Sequence, residues 1–137
     1  MGSNDVKHRL LKIGSWDANF FFFTDGYDVE GVLDFLKDNG ATEYILEDAY
    51  MLMSSGKDDT GFTFTVPNEH FAVICIGPTS SGEEFINTLV HEIHHLAVAI
   101  ADELGIDLES ETPAYISGGL ALEFADLICR LGCKRRK

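Results

Sequence analysis

The hydrophobic period of this chain changes at Gly77-Pro78, from two residues to 3.6, and that switch limits the fold more than any other feature. Before it, four consecutive phenylalanines in the run Asn19 to Thr24 predict a central strand buried on both faces of a sheet. Phe62, Phe64 and Val66 alternate with Thr63 and Thr65, Pro67-Asn68 turns the chain, and Phe71 to Ile76 is again apolar. Residues 61 to 76 therefore predict an antiparallel hairpin, entered through the polar turn Asp58-Asp59-Thr60-Gly61. Tyr44 to Leu46 reads as a further short strand. One helix belongs to this half: Asp28 can cap it, Val29, Val32, Leu33 and Leu36 fall at helical spacing, and Asn39-Gly40 stops it. After the switch, Ser81 with Glu84 fits a capping box for a helix of roughly 34 Å that runs to about Leu104 before Gly105. A second helix is expected from Ser110, with Pro113 in its first turn, to about Leu131. Strands followed by helices predict an α+β fold.

With 137 residues, 45% hydrophobic and 24% charged, the chain suits one globular domain over residues 1–137, with the basic end at 133–137 as a flexible tail. The apolar runs fall short of the roughly 20 residues that span a bilayer, and the N-terminus lacks a secretory pattern. Three cysteines, Cys75, Cys129 and Cys133, form an odd set without a CxxC pair, which suits reduced thiols. A cytoplasmic protein without membrane association is the resulting expectation. The net charge of -13 is unevenly spread: only Lys37 and Lys57 lie between residues 13 and 129. A surface so poor in cations argues against nucleic acid as a partner, because phosphate binding needs clustered lysine and arginine. It favours metal cations and basic partners.

The chemistry is concentrated in His91-Glu92-Ile93-His94-His95, an H-E-x-x-H motif inside the long expected helix. Spacing of four residues sets His91 and His95 on one face, one turn apart, where their ring nitrogens can meet a single zinc ion. Glu92 stands about 100° round the helix from His91, the placement of a general base. The chain's own histidine and glutamate frequencies give on the order of 0.01 chance occurrences of the motif. Phe85, Leu89, Ile93, Leu96, Ile100 and Leu104 form the core stripe of this helix, and the two histidines project almost opposite to it. Val98 and Ala99 share the histidine side without charge, so the second helix is expected to cover part of it.

A zinc site needs a third protein ligand. The metzincin extension requires glycine and histidine where Val98 and Ala101 stand, so that branch is excluded. Asp107, Glu109, Glu111 and Glu123 are within reach, and Glu111 is the expected ligand, at the start of a helix that must fold back on the first. The adjacent glycines Gly118 and Gly119 on that helix suggest close helix contact.

His91 to His95 followed by Glu111-Thr112-Pro113-Ala114-Tyr115 resembles the gluzincin type of zincin metallopeptidase, and more narrowly small zincin-like proteins of phages and mobile elements. The resemblance spans about residues 71 to 125. It implies a minimal zincin-like fold, with a small mixed sheet packed on the motif helix and a C-terminal glutamate helix. It implies zinc held by His91, His95 and Glu111, peptide bonds as substrate, and an extended substrate pairing with the hairpin at 61–76. In such a site Glu92 moves the proton. Tyr115, one turn beyond Glu111, is the expected oxyanion donor, with His94 and His70 as alternatives. The competing expectation is a non-catalytic zinc-binding or protein-interaction module on the same scaffold.

Overall fold

Pairing along the sheet explains most of the first half of the chain. The computed structural model describes residues 6–23, 25–107 and 110–125. Strands β1 (Val6–Ile13) and β2 (Trp16–Phe23) form an antiparallel hairpin across Gly14 and Ser15, β4 (Phe71–Ile76) adds parallel to β2, and β3 (Gly61–Val66) pairs antiparallel with β4. The order is β1-β2-β4-β3, so the two most apolar strands lie inside and each edge carries a more polar one. The phenylalanine run is thus interior: Phe20, Phe22 and Phe23 are buried, as is every residue of β4. A parallel pair needs a crossover, and helices α1 (Val29–Asp38) and α2 (Glu43–Met53) supply it together with β3. They bury Val32, Leu36, Ala49 and Met53 against Phe23, Phe64, Phe71, Val73 and Cys75.

Local signals account for the helix ends. The Asp28 side chain accepts the Gly31 N–H at 3.1 Å, Gly40 leaves α1 at φ 94°, and Thr42 Oγ1 accepts the Ile45 N–H at 3.4 Å. The strand expected at Tyr44 to Leu46 is in fact the first turn of α2. Ile45, Leu46, Ala49 and Met53 follow a helical stripe, and the Thr42 cap starts it, which outweighs the β-propensity of three residues. The hairpin at 61–76 is present. Its turn is a short 3-10 segment, Pro67–Glu69, ended by His70 in the left-handed region at φ 49°. At the other end Gly77 N–H donates to Thr60 O at 2.9 Å. A Cβ on Gly77 would fall 2.6 Å from the Tyr27 hydroxyl, so a larger residue there would have to displace the Tyr27 ring that bonds Thr60.

The chain divides into two compact units at Pro78 and Thr79, where the period changes. The second holds α3 (Gly82–Glu103) and α4 (Thr112–Glu123), which pack together. Ser81 Oγ accepts the Glu84 N–H at 3.1 Å, as the capping box requires. Phe85, Leu89, Ile93, Leu96 and Ile100 are buried, whereas Leu104 is 59% exposed because it lies one residue past the last turn. Pro113 sits in the first turn of α4, which starts at Thr112, two residues later than expected. The expected continuation to Leu131, Cys129, Cys133 and the tail at 133–137 lie outside the described residues. Cys75 is buried in β4. Among the described residues no helix is long and apolar enough to cross a membrane, since α3 has the length but carries five acidic residues.

Candidate metal centre

The buried stripe of α3 fixes the phase of the whole helix, and through it the direction of the motif. With Leu89, Ile93 and Leu96 inward, His91 and His95 emerge on the exposed side one turn apart. Their Nε2 atoms are 3.1 Å apart, one ring donating to the other, and the rings meet edge to face with centroids at 4.6 Å. Two nitrogens on one tetrahedral zinc, each at 2.0 to 2.1 Å, lie roughly 3.3 to 3.4 Å apart. The pair therefore already has the spacing and the atoms that a shared divalent ion needs. His94 is exposed beside them, with its ring 6.3 Å from that of His95.

Glu92 lies next in the chain but points differently. It is 4% exposed, one of three buried polar or charged residues described. A carboxylate set that deep is costly unless it is satisfied, so its position between two exposed histidines marks it as a group held in place.

The second helix departs from the sequence reading in its phase. Pro113, Leu120 and Phe124 are its buried residues, which puts Glu111, Tyr115, Gly118 and Leu122 on the opposite stripe. Tyr115 is 73% exposed, and the Glu111 carboxylate makes no capping hydrogen bond. The structure thus brings His91 and His95 together with Glu92 beside them, and leaves Glu111 and Tyr115 on the outward side of α4. Among the described residues no three histidine, cysteine, aspartate or glutamate side chains form a group able to hold a metal. Glu109 is outside the described residues; Asp107 and Glu123 are exposed and stand in no such group. The glycine pair also differs from expectation. Among the described residues, a Cβ on Gly118 or Gly119 would meet no heavy atom within 4 Å, because both face away from the buried stripe, so close contact with these residues does not explain them.

His70 belongs to the other unit. Its Nδ1 is 2.6 Å from Ser15 Oγ and its ring stacks on Trp16, so it is fixed as the turn residue of the hairpin. Sequence reasoning passed over Ile86 and Val90, which are exposed apolar residues on the turns before His91. Their spacing gave a partial signal: Val90 lies off the core stripe and one turn before His94, whereas Ile86, seven residues before Ile93, sits at the edge of that stripe. Comparison of the chain with protein-family models, with curated proteins and with solved structures finds no match.

Proposed function

We propose that this chain is a zinc-dependent metallopeptidase of the gluzincin type. The observation that carries this reading is the pair of Nε2 atoms, 3.1 Å apart on the exposed side of α3, with a buried glutamate between the two histidines in sequence. His91 and His95 would hold the zinc, and Glu111 is the proposed third ligand. The Glu111 carboxylate makes no capping hydrogen bond that reorientation would break, and metal binding commonly completes the ordering of its own ligands. When bound, zinc supplies Lewis-acid polarisation of a carbonyl and makes water more acidic. Glu92 accepts a proton from the attacking water and returns it to the leaving amine, and its burial holds the carboxylate in one place for that transfer. Tyr115, exposed on the same stripe as Glu111, is the proposed hydrogen-bond donor to the developing oxyanion.

The substrate is proposed to be a peptide or protein. Ile86 and Val90 offer an apolar surface beside the histidines, while residues 79–125 contain no lysine or arginine, so a basic peptide is favoured. The test is the Glu92→Gln variant, assayed on a broad peptide library with elemental analysis of both forms. The expected result is zinc retained and hydrolysis reduced at least about 100-fold, the usual worth of a general base. Zinc in both forms with hydrolysis by neither would leave the non-catalytic zinc module in place of the enzyme.

A further inference from the structure

Helix α2 buries only one side. Ala49 and Met53 are buried and Ile45 and Leu46 half-buried, while Tyr44 and Met51 are 78% and 70% exposed. Seven residues separate these two, so they lie within about 20° of each other round the helix and about 10 Å apart along it. Glu47 and Asp48, both exposed, fill the turn between them. Tyr50 and Leu52 are exposed on the shoulders of the same stripe. Single exposed apolar residues are ordinary, but four on an 11-residue helix make a patch.

The charge around that patch is mostly negative. Helix α2 contains no cation, and α1, which packs beside it, exposes Glu30, Asp34 and Asp38 against Lys37. The ion pair of Lys12 with Asp17 involves neither Glu47 nor Asp48. Two adjacent carboxylates bracketed by an aromatic ring and a thioether match a helix with apolar residues at i and i+7 and cations at i+3 and i+4. Methionine adapts to the shape of whatever packs on it, and the Tyr44 ring can also take a cation on its face. The spacing is that of one helix face, which selects a helical partner over an extended one.

We propose that the outward face of α2 docks a cationic amphipathic helix of a partner protein, independently of the histidine pair. The test uses the full chain and an alanine-based helical peptide with leucines at i and i+7 and lysines at i+3 and i+4. A control peptide carries glutamates in place of the lysines. The Met51 methyl resonance shifts on binding while the buried Met53 methyl does not. Tyr44→Ser with Met51→Ser weakens binding about tenfold or more, and Glu47→Gln with Asp48→Asn weakens it about fivefold and flattens its salt dependence. An unmoved Met51 methyl, equal binding of the control peptide, or variants that bind as the parent does would overturn the proposal. So would displacement of the probe by a peptide of this chain's own residues 126–137, because the face would then belong to that segment.

Discussion

Replacing Gly118 and Gly119 by alanine together tests whether the outer face of α4 is open. Glycine in a helix interior is less favourable than alanine by about 0.8 to 1.0 kcal/mol, mostly through the backbone freedom it loses. Both positions lie inside α4, and the added Cβ atoms would meet nothing within 4 Å among the described residues, so no steric term from these offsets that gain. The double variant is expected to be more stable by about 2 kcal/mol. With an unfolding entropy of about 2.1 cal/mol/K per residue over 137 residues, this raises Tm by about 7 °C. Thermal melts followed by circular dichroism at the helical band provide the measurement. Gly14 is the control: a Cβ there also meets nothing within 4 Å, but its φ is +60°, so Gly14→Ala should lower stability by about 1 kcal/mol. Space alone then fails to predict the sign, and backbone conformation decides it. A fall in Tm for the α4 double variant would refute the reasoning, since it would mean that something packs closely on the glycine face.

Other substitutions follow from single contacts. Ser81→Ala removes the hydroxyl that accepts the Glu84 N–H and should cost about 1 kcal/mol in urea unfolding; an unchanged midpoint would show that the cap is not needed. At His70, alanine and glycine variants both lose the Trp16 stack and the Ser15 hydrogen bond, but only glycine relieves the left-handed φ of 49°. Glycine should therefore be the more stable of the two by about 1 kcal/mol, read from the emission of the chain's one tryptophan; equal midpoints would remove the strain argument. For the metal site, His95→Ala should abolish zinc retention and Glu111→Gln should weaken it about tenfold or more, measured by competition with a chromophoric chelator. Weakening by Asp107→Asn with Glu111→Gln unaffected would reassign the third ligand.

Long patterns were legible in the sequence, and local phase was not. The phenylalanine run, the Thr63 and Thr65 alternation and the Leu89, Ile93, Leu96 stripe each repeat a period several times, and burial of the repeated face leaves one arrangement in every case. That is why the interior strand, the hairpin and the orientation of His91 and His95 could all be read ahead of the structure. Tyr44 to Leu46 was too short for its period to show, and the cap at Thr42 carried the deciding information. In α4 the sequence Thr112 to Glu123 is apolar or small almost all round, so no period selects an inner face. Spacing could place Glu111, Tyr115 and Gly118 on a common stripe, but the side on which that stripe lies is set by Pro113, Leu120 and Phe124 becoming buried. The part of the proposed centre that patterning does not orient is therefore Glu111, whose helix lacks an amphipathic face. The part fixed by strong patterning, the histidine pair, is the part whose geometry already suits a metal ion.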